Sequence, residues 1–246
     1  MDRWHDCIAL VTGSSAGIGK SIAIELARQG MIVIGWARRL ENLKIIENQL
    51  SSEGKIFVGR KCDVTQETSV SNEIAWIEKT YGKLHVVVNN AGIGRVASLT
   101  EGKTQLWQEV IDVNVIAAAV ISRETLKLMR KCGINDGHIF FLNSIVGHYI
   151  TPLIGAGMYC ASKHGITCMA DMTRKELIAS GFKTRVTSIS PSYTKSEIFE
   201  KSGRKVSADE PMLESQDIAN IVVWILSTAP SVQITEVIVR PTGSQF

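Results

Sequence analysis

The clearest chemical signal in the sequence is a tyrosine and a lysine four positions apart, Tyr159 and Lys163. On a helix this spacing places both side chains on one face, one turn apart. A free phenol has a pKa of about 10, which is too high for an efficient base at neutral pH. Because a neighbouring ammonium group favours the phenolate, we expect the pKa of Tyr159 to be lowered. The pair predicts general acid/base chemistry at Tyr159.

A glycine-rich segment, TGSSAGIG, indicates a site for a pyrophosphate. Gly13, Gly17 and Gly19 let the backbone turn sharply and approach the phosphates, whose charge faces a helix N-terminus. The segment follows a predicted strand and opens a predicted helix, which is the context that a dinucleotide site requires. Ser15 and Ile18 lie within it, and we expect them to contact the same cofactor.

The end of the second predicted strand distinguishes between the two nicotinamide cofactors. A carboxylate there binds the ribose hydroxyls of NAD, whereas an arginine can pair with the additional phosphate of NADP. The chain has Arg38 and Arg39 at this point and no acid before Glu41. Alternatively, both arginines are solvated residues that open the next helix. Because the acid expected for NAD is also missing, the sequence favours NADP(H).

Further motifs follow in an order that resembles the short-chain dehydrogenase/reductase superfamily. They are Asn89-Asn90-Ala91-Gly92, Asn114, Ser144 and Tyr159-x-x-x-Lys163. The stretches MDRW, GxARR, DGHI, NSxxGH and RPT resemble the branch containing insect NADP-dependent farnesol dehydrogenases and related vertebrate dehydrogenase/reductases. This resemblance implies NADP(H)-dependent interconversion of a lipophilic alcohol, such as a farnesol-like isoprenoid or a steroid, and its aldehyde or ketone. A non-catalytic cofactor-binding interaction module is the alternative.

The resemblance also implies roles for individual residues. Ser144 would donate a hydrogen bond to the substrate oxygen, Lys163 would bond the nicotinamide ribose, and Asn114 would hold a water for proton relay. The predicted catalytic set is thus Asn114, Ser144, Tyr159 and Lys163. Taken singly, Asn114 and Asp63 fit structural positions as well as functional ones. Further contacts to NADP(H) are expected from Asp63 and Val64 at the adenine, from Asn90, Ala91 and Gly92, and from Pro191 and Thr194 at the nicotinamide end.

Three features near the predicted substrate site leave questions open. Superfamily members usually have Pro-Gly after the sixth strand, but this chain has Pro191-Ser192. Serine lacks the freedom of glycine at positive φ, so the local backbone is in doubt. His148 could line the pocket, although a loop residue is the better interpretation. The long polar connection 192–213 suggests a lid, with a solvated insertion as the alternative.

Short apolar runs alternate with helical segments, which predicts the elements that position these residues. The pattern indicates a single α/β Rossmann-type domain over 1–246, with a doubly wound parallel sheet of about seven strands flanked by helices. The predicted strands are Ile8–Thr12, Ile32–Trp36, Lys55–Gly59, His85–Asn89, His138–Asn143, Arg185–Ser190 and Glu236–Val239. The predicted helices cover about 17–29, 40–52, 66–80, 104–131, 157–180 and 214–228.

Composition narrows the function classes. The net charge is +3 and the basic residues are scattered, so we expect no nucleic-acid partner. The five cysteines form no CxxC and the five histidines are dispersed, so we expect no metal site. The apolar runs are too short to span a bilayer, and the first residues lack a signal-peptide pattern, which favours a cytoplasmic protein. The resemblance implies a homodimer or homotetramer.

Overall fold

The computed structural model describes residues 1–198 and 210–244, and its centre is a seven-stranded parallel sheet. The strand order is β3-β2-β1-β4-β5-β6-β7. The order reverses between β1 and β4, and sheets of this type bind ligands outside the carboxyl ends of the strands at that switch. The strands are β1 (Ile8–Thr12), β2 (Ile32–Ala37), β3 (Phe57–Lys61), β4 (Val86–Asn89), β5 (His138–Leu142), β6 (Arg185–Pro191) and β7 (Glu236–Val239).

Seven α-helices connect and cover these strands in the described parts of the chain. Short 3-10 turns occur at Asp2–Trp4 and Ile145–Gly147, and a π-helical turn, Asp112–Ile116, joins two of the helices. The helices are α1 (Gly17–Arg28), α2 (Leu40–Ser52), α3 (Glu67–Tyr81), α4 (Thr104–Ile111), α5 (Ala117–Lys131), α6 (Gly157–Ala179) and α7 (Ser215–Ser227).

The sheet is buried on both faces, which explains its continuous Ile and Val runs. All five residues of β1 are buried. Because successive side chains of a strand point to opposite faces, Val11 packs in a cluster with α1 and α7, and Leu10 packs in a cluster with α3, α5 and α6. The predicted doubly wound α/β fold is confirmed. Within the described residues, the search for a helix that could span a bilayer finds none.

Two predicted elements were placed wrongly. The third strand begins at Phe57 rather than Lys55, because the Lys55 amide donates to Leu50 O (2.8 Å) and so belongs to the turn that ends α2. The helix predicted over 104–131 is divided by the π-helical turn into α4 and α5. The other boundaries agree to within one residue.

The connection that suggests a lid falls mostly outside the described residues, which stop at 198 and resume at 210. Its two described ends lie side by side. Lys195 N donates to Leu213 O (2.9 Å), and Leu213 N donates to Tyr193 O (2.8 Å). The start and end of the connection are therefore held together beside the carboxyl edge of the sheet.

Candidate active site

Ser144 and Tyr159 meet at the carboxyl ends of β5 and β6. Ser144 caps the 3-10 turn that follows β5, and its Oγ accepts from Val146 N (3.4 Å). The same hydroxyl lies 3.5 Å from Pro191 O at the end of β6 and is hydrogen bonded to the side chain of Tyr159. The end of one strand and the first turns of α6 thus bring two predicted catalytic hydroxyls together.

Lys163 lies one turn after Tyr159 on α6 and is buried. Its Nζ donates to Leu142 O (2.7 Å) and lies 5.8 Å from the centre of the Tyr159 ring. An ammonium group has three hydrogens to donate, so two remain for other acceptors. The lysine is therefore anchored to β5 and still able to bind a ligand hydroxyl.

The pKa values of the pair differ from the expectation raised by their spacing. Although the ring of Tyr159 is only partly buried, desolvation by the surrounding protein raises the pKa of Tyr159 to about 12, with the Ser144 hydrogen bond acting in the opposite direction. Burial lowers the pKa of Lys163 to about 8. Desolvation thus outweighs the Ser144 hydrogen bond, and the side chains of this chain do not by themselves lower the pKa of Tyr159 as the spacing predicted.

Asn114 lies buried in the π-helical turn, where its side chain makes three hydrogen bonds. Its Oδ1 accepts from Ile93 N (2.8 Å), and its Nδ2 donates to Ile93 O (3.0 Å) and Ser162 Oγ (3.0 Å). These bonds join the loop after β4 to α6, one residue before Lys163. Both hydrogens of Nδ2 are used, so a water could bind only at the second lone pair of Oδ1, and the three bonds position the loop and the helix.

A cleft of about 380 Å³ lies at the carboxyl ends of β1, β2 and β4, where the strand order reverses. Four of the predicted cofactor residues, Tyr159, Lys163, Pro191 and Thr194, line an adjoining cavity instead. The cleft is lined by the other predicted cofactor residues: Gly13, Ser15, Gly17, Ile18, Gly19, Arg38, Arg39, Asp63, Val64, Asn90, Ala91 and Gly92.

The glycine-rich turn is hydrogen bonded to the loop after β4. Thr12 Oγ1 accepts from Asn90 N (3.1 Å) and Ala91 N (3.0 Å), while Asn90 Nδ2 donates to Thr12 O (2.8 Å). Gly13 has a φ of +66°, and a Cβ on Gly19 would lie 2.3 Å from Asn90 Nδ2. Any side chain at Gly19 would therefore push the turn and the loop apart.

The two arginines after β2 line the cleft but differ in their partners. Arg39 is the N-cap residue of α2, and its guanidinium binds Glu197 Oε1 (2.9 Å) and donates to Ser15 Oγ (3.1 Å). Arg38 is exposed and forms no ion pair within the described parts of the chain. Positive charge thus borders the cleft, and one guanidinium is available for an anionic ligand.

Asp63 lines the cleft and also stabilises the turn that contains it. Its Oδ1 accepts from Thr65 N (3.1 Å) and Thr65 Oγ1 (2.8 Å) before α3 begins. One carboxylate oxygen of Asp63 therefore stabilises the turn before α3, as a structural role for this residue predicts. Its place beside Val64 in the cleft agrees with the predicted contact to a cofactor.

The adjoining cavity, which we call the substrate cavity, has a volume of about 190 Å³. Ser144, Tyr159 and Lys163 line it together with apolar side chains such as Val96 and Leu153, and most of the surface of the cavity is apolar. Next to this lining, Ile150 is 76% exposed and Ile154 is 85% exposed. An apolar surface thus continues from the cavity to solvent.

The sequence left open whether His148 lines the pocket and whether Ser192 strains the backbone, and the structure decides both. His148 Nε2 lies 3.0 Å from Ser190 Oγ and 2.9 Å from Glu236 Oε1, and the residue is not part of the lining of the substrate cavity. Among the described non-glycine residues, only Asp6 has a φ in the left-handed region. Ser192 therefore adopts an ordinary backbone conformation, and the substitution of glycine causes no strain there.

Two residues that contribute to the site were not predicted from the sequence. Glu197 lines the cleft and pairs with Arg39, and Ser162 bonds to Asn114. Neither belongs to a motif, because each partner is distant in the sequence and is brought near only by the fold. In the described ranges, no group of three or more His, Cys, Asp or Glu side chains has an arrangement that could hold a metal ion.

Comparison with known proteins agrees with this geometry. The short chain dehydrogenase family model matches residues 7–207. Farnesol dehydrogenase of Aedes aegypti is 38% identical over 248 residues, covering 100% of both chains. Dehydrogenase/reductase SDR family member 11 of Bos taurus is 34% identical over 98% of each chain. The crystal structure of a metagenomic short-chain oxidoreductase in complex with NADP superposes with a TM-score of 0.82 at 28% identity, covering 98% of this chain and 99% of that one.

Proposed function

The chain belongs to the short-chain dehydrogenase family of oxidoreductases, and on that premise we propose that it uses NADP(H) to interconvert a lipophilic alcohol and its aldehyde or ketone. The observation that carries the proposal is the grouping of Ser144, Tyr159 and Lys163 in an apolar cavity that adjoins the cleft of the glycine-rich turn. An isoprenoid alcohol or a steroid is the substrate class that we favour, because the similar proteins include a farnesol dehydrogenase and the cavity is mainly apolar.

The cleft fits a dinucleotide. The turn at Gly13 and Gly17 has positive φ angles, and at Gly19 only a residue without a Cβ leaves room beside Asn90. We assign the pyrophosphate to this turn, the adenine to Asp63 and Val64, and the nicotinamide end to the residues shared with the substrate cavity. When bound, the nicotinamide ring supplies or accepts the hydride.

The preference for NADP(H) rests on charge at the end of β2. The strand ends at Ala37, and Arg38 and Arg39 follow it at the rim of the cleft. A guanidinium binds a phosphate through paired hydrogen bonds, whereas an acid at this position would repel it. The solved relative in complex with NADP supports the same assignment.

Tyr159 is the proposed acid/base. With a pKa of about 12 it keeps its proton at neutral pH, so in reduction it can donate that proton to the alkoxide as it forms. Ser144 is hydrogen bonded to Tyr159, and its hydroxyl can rotate to donate its one hydrogen to the same substrate oxygen when substrate binds. In oxidation Tyr159 accepts the alcohol proton, which first requires its pKa to fall. The positive charge of the oxidised nicotinamide, when bound, would favour the phenolate and lower that pKa.

Turnover measurements on Tyr159→Phe test this proposal. Reduced-nicotinamide absorbance is followed with NADP or NAD against isoprenoid, steroid and short-chain alcohols, and with NADPH against the matching aldehydes and ketones. We expect turnover with NADP(H) that is strongest for lipophilic substrates. The variant, which removes only the phenolic oxygen, should lower kcat by about 100-fold or more while NADPH binding stays the same.

Three outcomes would contradict parts of the proposal. Unchanged turnover in Tyr159→Phe would remove Tyr159 from the chemistry. Turnover restricted to NAD would leave the chemistry standing and overturn the cofactor assignment. Cofactor binding without turnover of any substrate would favour the alternative, an interaction module that binds the cofactor and does not catalyse a reaction.

A further inference from the structure

One buried hydroxyl in the substrate cavity forms no hydrogen bond in the described part of the protein. Ser192 follows β6, is 7% exposed and lines the cavity with Ser144 and Tyr159. Its Oγ has no hydrogen-bond partner among the described residues. Since leaving a buried hydroxyl unpaired costs free energy, a ligand that pairs with it gains affinity.

The backbone of Ser192 is held firmly. Its N donates to Val239 O (2.8 Å), and its O accepts from Thr194 Oγ1 (2.9 Å). The preceding carbonyl, Pro191 O, lies 3.5 Å from Ser144 Oγ, so Ser192 directly follows a residue that touches the proposed reacting groups. The hydroxyl, with one donor hydrogen and two acceptor lone pairs, is the part of Ser192 that remains for a ligand.

The reacting oxygen of the substrate does not need this hydroxyl. A carbonyl oxygen has two lone pairs, and donors at Ser144 and Tyr159 are sufficient to satisfy both. Ser192 also lines the substrate cavity and is not among the residues that line the dinucleotide cleft. Pro191 and Thr194, which flank Ser192, are expected at the nicotinamide end, so the cofactor and a second polar atom of the substrate are the two candidate partners, and the cavity lining favours the substrate.

Building on the proposed function, we propose that Ser192 is a specificity-determining residue that hydrogen-bonds a second oxygen of the substrate, close to the reacting carbon. Preferred substrates are then lipophilic compounds with two neighbouring oxygens, such as diones and hydroxyketones, over carbonyl compounds with a single oxygen. The residue selects and orients the substrate, and it takes no part in proton transfer.

The first test measures thermal unfolding of the protein without ligand. Ser192→Ala removes an unpartnered hydroxyl and should leave the melting temperature unchanged or raise it. The control Ser190→Ala lies two residues earlier, in β6, but removes a hydroxyl that is paired with His148 (3.0 Å), and it should lower the melting temperature. A lowered melting temperature in Ser192→Ala would mean that the hydroxyl already has a partner, and would overturn the proposal.

The second test compares camphorquinone with camphor, which share one skeleton and differ in the second oxygen. Binding of each to the NADP-saturated protein is measured by calorimetry, where no hydride is available for reduction. Wild type should favour the dione, and Ser192→Ala and Ser192→Gly should reduce that preference about three- to tenfold. The affinity for NADPH should stay constant in both variants.

Each other outcome is decisive. The same dione preference in wild type and Ser192→Ala, or no dione binding by wild type, would overturn the proposal. Weaker NADPH binding with an unchanged preference would assign the hydroxyl to the cofactor instead. If wild type binds the dione but shows no turnover with NADPH, the proposed activity fails, while the binding preference still decides the role of Ser192.

Discussion

At the scale of single residues, cofactor choice depends on Arg38. Because this exposed guanidinium borders the cleft without an ion-pair partner in the described residues, we predict that Arg38→Asp weakens NADP binding about 10- to 100-fold. NAD binding should change little, since it lacks the phosphate. Calorimetric titration with both cofactors measures the two effects. Lys44→Asp on α2 makes the same charge change outside the lining of the cleft, and equal losses of both cofactors in Arg38→Asp would contradict the arginine–phosphate pairing.

The burial of Lys163 predicts a pH dependence of stability. Its folded pKa of about 8 lies below the ordinary value of 10.5, so the unfolded chain binds more protons between these values. The free energy of unfolding should therefore rise with pH across this window, by up to about 3 kcal/mol. Below pH 8 this contribution is lost.

Denaturant unfolding of wild type and Lys163→Met across this pH window isolates the effect of Lys163. The difference in unfolding free energy should grow in favour of wild type as pH rises from 8 to 10.5. Lys175→Met, at an exposed lysine on the same helix, tests whether the loss of any lysine of α6 gives the same slope. Parallel profiles for wild type and Lys163→Met would show that the Lys163 ammonium is not disfavoured by burial.

At the scale of the secondary-structure elements, the start of α1 lies close against the loop after β4. A Cβ at Gly19 would meet Asn90 Nδ2 at 2.3 Å and Gly13 O at 2.5 Å. We predict that Gly19→Ala destabilises the protein by about 1–3 kcal/mol and weakens NADPH binding, because the glycine-rich turn must move. Urea unfolding and a cofactor titration measure the two effects.

Gly165→Ala on α6 is the matched control for this prediction. Its Cβ would lie 3.7 Å from Val115 Cγ2, an ordinary contact, and alanine favours a helix. This variant should be neutral or stabilising. If Gly19→Ala behaved in the same way, the tight contact between the glycine-rich turn and Asn90 would not be required.

The sequence predicted elements well where the signal is local. The strand Ile8–Thr12 and the turn that follows it were located from apolar pattern and glycine spacing alone. The division of the 104–131 helix was not predicted, because the contacts of Asn114 with Ile93 and Ser162 come from distant segments. The desolvation that raises the pKa of Tyr159 was not predicted for a similar reason, since the extent of burial depends on the assembled fold.

At the scale of the whole molecule, the remaining prediction concerns association. Ile116 and Met172 are exposed apolar residues on the segments at about 104–131 and 157–180, which the family resemblance implies at a dimer interface. We predict a particle of two or four times the 26.9 kDa chain in sedimentation experiments. Met172→Glu should shift it toward the mass of one chain, because a charge would be buried at the interface. Ile45→Glu, at an exposed position of α2, is the control and should leave the mass unchanged. A monomeric wild type would contradict the prediction.

The π-helical turn at Asp112–Ile116 also sets the rotation of α4 relative to α5 about their shared axis. Each residue of an α-helix turns the chain by about 100°, so a turn with one more residue than usual offsets α4 from α5 by roughly that angle. A one-residue deletion there would restore a regular helix and rotate one half relative to the other. Relatives that share this site should therefore align without gaps across these five positions, even where the neighbouring loops differ in length.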